Sequence, residues 1–200
     1  PVLRTLNQAV LLSAGTSDTG PGGNISISGS QSWESLYTIN GVVVNENLRG
    51  QALDLYIEDA VLETTTITSG ASAEYGRFAG GVVNTVTKSG GNEFSGSFRA
   101  NFDNDSWNGE TPLTTDQVDE TNTTYEATFG GYILKDHLWF FTAGRDLSTS
   151  GSGQLITPGQ PDAGIPYPTT RDQRRIEAKL TGSITPDHRI TASYLDITDD

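Results

Sequence analysis

From residue 94 onwards, apolar and polar residues alternate along the chain in five stretches. The two clearest runs are 94–103 and 124–133, and two more follow at 175–184 and 189–194. Alternation with a period of two is typical of a β-strand that has one apolar and one polar face. The remaining stretch, 138–145, is apolar on both faces at its start, so the pattern does not orient it. This half of the sequence therefore predicts antiparallel strands with one apolar face and one face that carries charges of both signs.

The connections between these runs alternate in length. About twenty residues join the first two runs, little more than Lys135–Asp136 joins the next two, a long Gly/Pro/Ser-rich stretch follows, and 185–188 closes the series. Long loops that alternate with tight turns are typical of outer-membrane β-barrels, whose tilted strands need about 9–11 residues to cross the bilayer. Soluble β-sandwiches also have alternating strands, so they remain an alternative. Aromatic residues near the strand ends favour the barrel: Phe94, Phe102, Tyr125, Trp139 and Tyr194.

The pattern before Ser89 is different, with short elements rich in Gly, Ser and Thr. Asn40–Gly41 lies between two apolar runs, and both residues tolerate the positive φ of a type I′ hairpin turn. Helical spacing predicts a short helix within 3–12, ended by Ala14–Gly15, and β-branched residues predict strands. The predicted strands are 25–28, 37–39, 42–44, 61–68 and 82–87, and the helical predictions are one turn or two within 53–60 and one turn at 72–75. Together these elements indicate a compact α+β domain.

Composition narrows the possible partners and compartments. The chain has 25 acidic and 12 basic residues, a net charge of −13, and such a surface repels nucleic acid. Cysteine is absent, which excludes disulfides and thiolate metal sites. No stretch reaches the roughly 18 apolar residues of a membrane-spanning helix. The sequence starts at Pro1 without a Met or a signal peptide, so we expect it to be a processed or excised segment.

Residues 69–91, SGASAEYGRFAGGVVNTVTKSGG, closely resemble the end of the plug domain of TonB-dependent outer-membrane receptors, in particular the Oar-like, carboxypeptidase-regulatory-domain subgroup. Three shorter segments resemble family motifs in the family's order: 39–42 the plug hairpin, 57–61 the approach to the penultimate plug strand, and 91–96 the entry to the first barrel strand. The resemblance implies an α+β plug domain over 1–91, ended by a polar hinge at residues 88 to 91.

The same resemblance implies that residues 92–200 form the first five or so antiparallel transmembrane strands of a 22-stranded plugged barrel. A barrel of that size fits plugged transporters. Five strands alone would leave unpaired edges in lipid, so the full protein is expected to continue. The expected function is ligand binding outside the cell and transport across the outer membrane through plug rearrangement. Expected partners are outer-membrane lipid, an unknown external ligand and a TonB-type energy-transducing protein that engages an upstream segment.

Two groups of structural candidates follow from the resemblance. Gly76, Gly80 and Gly81 are expected to permit a sharp turn and close backbone approach where the plug segment doubles back. Arg77 is a candidate to lock plug to barrel through a lumen-facing carboxylate, with Glu126 and Glu177 as the candidate partners. The alternative is that Arg77 is only a solvated surface group, since exposed ion pairs contribute little.

Ligand contacts are expected at the plug apices and external loops. The candidates are Trp33, Asn45, Asn47, Arg49 and Phe78. Trp33 is equally compatible with a core position.

The sequence gives little support for a catalytic, metal or cofactor site. His137 and His188 lie in the two short turns, far from any Ser or Asp ordered as a triad, so no catalytic site is predicted and the protein is not expected to be an enzyme. Residues 103–110 resemble a calcium loop only superficially, because the Gly is displaced and the distal Glu is misplaced. No metal or cofactor is therefore predicted, although 103–122 holds six acidic residues and no Lys or Arg. Two alternatives remain open: an Oar-like surface protein in export or adhesion, and a soluble carbohydrate-binding β-sandwich.

Overall fold

The computed structural model describes residues 6–20, 24–46, 50, 52–53, 55–107, 109, 119–154, 166–185 and 187–199. Most of these residues are in strands, and the sheets are largely antiparallel. The chain divides into two compact units, Pro1–Ser89 and Gly90–Asp200. Among the described residues, no helix is both long and apolar enough to cross a membrane.

In its described residues, the N-terminal unit contains one α-helix and two small sheets. Its elements are α1 (Leu6–Leu11), β1 (Thr16–Ser17), β2 (Ser26–Ile27), β3 (Leu36–Ile39), β4 (Val42–Val43), β5 (Val61–Ile67) and β6 (Val82–Thr87). β1 pairs with β2, and the larger sheet has the order β4-β3-β6-β5, in which β3 and β6 run parallel. Apolar side chains of α1, β2, β3, β6 and the connecting segments pack together as a core: Leu6, Val10, Ile25, Ile27, Tyr37, Ile39, Val44, Tyr56 and Val83. Burial raises the pKa of the Tyr37 hydroxyl, which therefore stays neutral in the core.

The predicted hairpin at Asn40–Gly41 is confirmed. Both residues have positive φ, 51° and 82°, as a type I′ turn requires. The Asn40 side chain also accepts a hydrogen bond from the backbone N–H of Thr87 at 3.0 Å and donates one to the Thr87 hydroxyl at 2.9 Å. The turn is thereby tied to the end of β6.

The two segments predicted as helical turns each form one turn, and only the first of them is helical. Within 53–60, only Glu58–Ala60 is helical, as a single 3-10 turn. Residues 72–75 form one turn, closed by a 3.1 Å hydrogen bond from the Tyr75 N–H to the Ser72 carbonyl, and no helix. A helical nucleus fixes several dihedral angles for one hydrogen bond, so segments this short do not propagate without packing along one face.

The C-terminal unit is one antiparallel sheet with the strand order β11-β10-β9-β8-β7. Its strands are β7 (Ser95–Asn104), β8 (Thr121–Leu134), β9 (Leu138–Gln154), β10 (Pro166–Thr185) and β11 (His188–Asp199), and a 3-10 turn, Asp105–Trp107, follows β7. Each strand therefore pairs with its neighbours in sequence. β9 and β10 extend well beyond the predicted runs because they stay paired through segments that lack apolar alternation, up to Gln154 opposite Pro166.

Candidate functional site

On β8 and β10, the sheet of the C-terminal unit buries its polar and charged face and exposes its apolar face. On β10, Ile176 and Leu180 are 47% and 48% exposed, whereas Arg175, Glu177 and Lys179 are 3%, 0% and 5% exposed. Alternate residues of a strand point to opposite faces, so these two sets belong to opposite sides of the sheet. A soluble antiparallel sheet shows the reverse arrangement, with its apolar side packed on a core. The polarity of this sheet is therefore inverted.

The buried face carries a row of charges across four strands. Arg99 on β7 lies opposite Glu126 on β8, which lies opposite Arg145 on β9, which in turn lies opposite Arg175 on β10. Glu126 is ion-paired with Arg99, and its other oxygen lies 3.5 Å from Nε of Arg145. Arg175 donates from Nε to the Gln173 side-chain oxygen at 2.8 Å. Burial of charge is tolerated only with such pairing, since desolvation costs several kcal/mol per ion.

The exposed face carries an apolar band that crosses all five strands. On β10 it runs from Ile176 to Ile184, about nine residues, which is the length that a tilted strand needs to span the apolar part of a bilayer. Charges return on the same face just beyond Ile176, where Nε of Arg174 lies 3.3 Å from the Asp146 carboxylate. The large exposed members of the band are Phe94, Phe98, Phe129, Ile133, Ile176, Leu180, Ile184, Ile190 and Tyr194.

Aromatic rings cluster near the two boundaries of this band. Towards the short turns, the ring centroid of Phe94 lies 4.7 Å from that of Tyr132 and 6.1 Å from that of Phe129. Towards the long connections, Phe102 and Tyr125 meet edge to face at 6.0 Å. Two aromatic belts around an exposed apolar band match the interfacial girdles of membrane barrels.

The strand that the pattern did not orient, 138–145, is now assigned. Phe141 and Ala143 are buried on the charged face, and Phe140 joins the outer aromatic cluster, 5.7 Å from Phe129. Trp139 was expected to belong to an outer aromatic girdle, and that expectation is wrong because Trp139 is buried. Its indole N–H donates to the Asn92 side-chain oxygen at 2.8 Å.

The ligand candidates of the N-terminal unit differ in their surroundings. Trp33 is 51% exposed, so it is not a core residue, and Phe78 is half-buried. Asn45 is held by the backbone: its oxygen accepts from the Tyr37 N–H, and its amide donates to two carbonyls, each of these bonds being 2.8 Å long. Its amide thus stabilises the fold of this unit. Asn47 and Arg49 lie outside the described residues.

The three candidate turn glycines differ in how closely other atoms approach them. A Cβ at Gly80 would come within 2.3 Å of the Ser30 hydroxyl, and one at Gly81 would come within 2.4 Å of the Ile27 side chain, so the backbone passes close to its neighbours at both positions. A Cβ at Gly76 would meet nothing within 4 Å. The left-handed backbone in this segment falls on Arg77, with φ of 60° and an exposed side chain.

The candidate locking carboxylates, Glu126 and Glu177, are both buried on the charged face of the sheet. Sequence reasoning singled out these two acids and missed Arg99 and Arg145, the partners of Glu126. All of them belong to the polar stripe of their strands, but only the strand register brings them together.

The remaining candidates show no assembled chemical site. His137 is exposed in the turn between β8 and β9, and His188 is exposed at the start of β11; each makes a local hydrogen bond. In the described part of the protein, no group of three or more His, Cys, Asp or Glu residues is placed to hold a metal ion. Half of the acidic segment 103–122, namely residues 108 and 110–118, lies outside the described residues.

Comparisons with known proteins agree with this architecture. No protein-family model matches the chain. The TonB-dependent transporter Oar of Myxococcus xanthus is 41% identical over 130 residues, which covers 58% of this chain and 12% of the transporter. The chain therefore spans about an eighth of the length of that relative.

Two solved structures share the fold. The ferric enterobactin receptor of Pseudomonas aeruginosa, in complex with BCV-L6, matches with a TM-score of 0.71 and 21% identity over 100% of this chain and 31% of the receptor. The outer membrane transporter YddB of Escherichia coli matches with a TM-score of 0.62 and 19% identity over 88% of this chain and 27% of the transporter. At these identities the likeness concerns the fold. The chain is thus similar in sequence to a segment of the TonB-dependent transporter Oar, and it shares the fold of a segment of these two solved outer-membrane proteins.

Proposed function

We propose that this chain supplies the later part of the plug, residues 1–91, and the first five strands of the barrel, within 92–200, of a receptor that takes up an external ligand across the outer membrane. The observation that carries the proposal is the inverted polarity of the C-terminal sheet. An apolar face left exposed on five adjacent strands needs an apolar surrounding, since soluble proteins rarely expose contiguous apolar patches beyond a few hundred Å². Bilayer hydrocarbon provides that surrounding.

The opposite face then lines the lumen. Arg99, Glu126 and Arg145 form a paired set on that face, as expected for the polar interior of a membrane barrel. A soluble sandwich would require this face to look into water and the apolar face to pack on a second sheet. The observed burial opposes that alternative.

The edges of the sheet support a larger barrel. Among the described residues, β7 and β11 each pair with one strand, so each has a free edge. Unpaired backbone groups in hydrocarbon cost several kcal/mol each, and membrane sheets close for that reason. The receptor resemblance makes a barrel of 22 strands the natural completion.

Transport in this proposal depends on movement of the plug. A ligand shifts a closed and an open state only by its difference in affinity for the two, and a TonB-type partner supplies the energy for opening. Trp33 is the ligand candidate that the described structure favours in the N-terminal unit, because its ring is exposed and no described polar bond holds it.

Site-directed labelling in the full-length receptor tests the orientation of the sheet. The 200 residues contain no cysteine, so single cysteines at Ile176 and Leu180, and matched ones at Glu177 and Lys179, can carry a small fluorophore in reconstituted bilayers. Nitroxide-labelled lipid should quench the probes at 176 and 180 strongly and those at 177 and 179 weakly. Equal quenching at all four positions, or the reverse order, would overturn the membrane assignment.

A second experiment tests the direction of transport. Cells with and without the receptor are grown in the same defined medium, and small solutes are followed in medium and cells by mass spectrometry. Receptor-dependent depletion from the medium, abolished by an uncoupler, is the expected result. Receptor-dependent accumulation outside the cell would replace uptake by export.

A further inference from the structure

The backbone passes from one unit to the other over a very short segment. Lys88 is tied to the N-terminal unit, where its backbone N–H donates to the Ala60 carbonyl at 2.8 Å and its Nζ to the Asp59 carbonyl at 2.7 Å. Gly90 is packed on the C-terminal unit: a Cβ there would lie 2.2 Å from the Phe140 carbonyl oxygen. Ser89 alone separates these two residues.

Two residues further on, the backbone is tied to the β8–β9 turn. The Asn92 amide donates to the Asp136 carboxylate, and the Asn92 oxygen accepts from the Asp136 backbone N–H at 2.9 Å. The same oxygen accepts from the indole N–H of Trp139 at 2.8 Å. Asp136 has φ of 66°, a left-handed conformation that Asn and Asp tolerate better than other side chains.

The turn between β8 and β9 and the neighbouring Trp139 are also contacted by β10 and β11, towards the other edge of the sheet. The Arg189 guanidinium carbon on β11 lies 5.5 Å from the ring centroid of Trp139, which is cation–π distance. The Ser183 N–H on β10 donates to the His137 carbonyl at 2.8 Å. One side chain, Asn92, thus links the incoming segment to a turn that is itself held by two further strands.

We propose that Asn92 is a positioning residue, which anchors the incoming segment to the β8–β9 turn and leaves Ser89 as the pivot between the two units. Its consequence for transport rests on the proposed function. A pull on the plug reaches the barrel at this anchor, and the residues that follow Ser89 stay in place while the plug moves. Loss of the anchor lengthens the free tether from Ser89 alone to about five residues, 89–93, since the next residue held by the sheet is Phe94, whose ring packs on Tyr132.

Hydrogen exchange in the full-length receptor tests the anchor itself. Asn92→Ala should raise exchange in peptides that cover 88–94 and 134–140 at least tenfold, and Asn92→Asp should do the same near neutral pH because two carboxylates then face each other. The double exchange Asn92→Asp with Asp136→Asn reverses donor and acceptor and should restore protection to within about twofold of the parent. Asn101→Ala, an exposed Asn on β7, is the matched control and should leave both peptides unchanged.

The outcomes separate the anchor from a general loss of folding. Protection of the β9–β10 ladder must remain in every variant. Exchange in Asn92→Ala within twofold of the parent, or a double exchange that fails to restore protection, would overturn the proposal.

A second measurement tests the proposed role in transport separately from the anchor itself. A cysteine replaces Ser89, and its rate of maleimide labelling is compared in energised and de-energised cells. Asn92→Ala should increase the labelling rate of energised cells severalfold over the parent. If energisation changes nothing in either background while the exchange result holds, the anchor stands and the proposed coupling to the plug fails.

Discussion

The two units of this protein solve burial in opposite ways. The N-terminal unit packs apolar side chains such as Val10, Ile27 and Val83 into a core, as a water-soluble domain does. The C-terminal unit buries Glu126 and Glu177 and leaves Ile176 exposed. Hydrophobic burial drives the first arrangement, whereas the second is stable only where the outer solvent is apolar and the inner charges are paired. Replacing an exposed apolar residue by a charged one should therefore be tolerated in the N-terminal unit and destabilising in the C-terminal unit.

The largest expected effect comes from removing the shared carboxylate of the buried row. Glu126→Gln removes the carboxylate that is ion-paired with both Arg99 and Arg145, and breaking such a buried pair costs about 3–5 kcal/mol. Asp146→Asn is the matched control, because it removes a carboxylate that pairs with an arginine on the exposed face, where pairs contribute at most about 1 kcal/mol. Denaturant unfolding of the full-length receptor in bilayers measures both. Equal losses for the two variants would mean that the row is not a buried ion pair in the membrane.

A second test uses two exposed leucines in the two units. Leu180→Arg on the apolar band should destabilise the receptor by about 2–4 kcal/mol if the side chain faces the bilayer midplane. Leu62→Arg on β5 replaces a side chain that is even more exposed, 63% against 48%, and a surface substitution of this kind should cost about 0.5 kcal/mol or less. The same unfolding measurement, with thermal aggregation as a second readout, compares the pair. A harmless Leu180→Arg would remove the reason for placing the apolar face in lipid.

The third test concerns the N-terminal unit alone. Asn45→Ala removes the acceptor of the Tyr37 N–H and the donor to the carbonyls of Ser35 and Gly50, and each part-buried group left without a partner costs about 1–3 kcal/mol. Trp33→Ala removes an exposed ring and should change stability by about 0.5 kcal/mol or less. Hydrogen exchange of β3 distinguishes them, with faster exchange expected only for Asn45→Ala. If the protection of β3 were unchanged in Asn45→Ala, Asn45 would not be needed for the fold, and it would remain only a candidate for ligand contact.

The strands that could be predicted from the sequence are those whose pattern is local, whereas strand segments that depend on a distant partner could not be predicted. The five strands of the C-terminal unit and β6 (Val82–Thr87) were predictable, because alternation and β-branched residues report directly on one local segment. The outer ends of β9 and β10 were not, since Ser, Thr and Gly segments carry no apolar alternation and are held there by backbone pairing with each other. Their strand character depends on a partner that the local pattern does not name.

Prediction of the candidate site from the sequence has the same limit. Glu126 and Glu177 could be placed on a polar stripe from spacing alone, whereas the partners of Glu126 depend on the register of β7, β8 and β9. The girdle prediction failed for Trp139 because aromatic rings at strand ends occur on either face. The buried position of Trp139, where its indole N–H donates to Asn92, 47 residues away, depends on long-range contacts that the local pattern does not show. Side-chain identity limits what a position can do, and long-range pairing decides which of those options is realised.

The smallest expected effects separate two glycines of one turn. Gly81→Ala would place a methyl group 2.4 Å from the Ile27 side chain and 2.9 Å from the Ile67 carbonyl oxygen, so the core of the N-terminal unit must shift, at a cost of about 1–3 kcal/mol. Gly76→Ala meets open space and no positive φ, and it should be neutral or stabilise by up to about 1 kcal/mol because the unfolded state loses freedom. Hydrogen exchange of β6 and unfolding of the full-length receptor give the two values. If both alanines were neutral, the N-terminal unit would be packed too loosely at Gly81 to count as the soluble-type core on which the contrast between the two units depends.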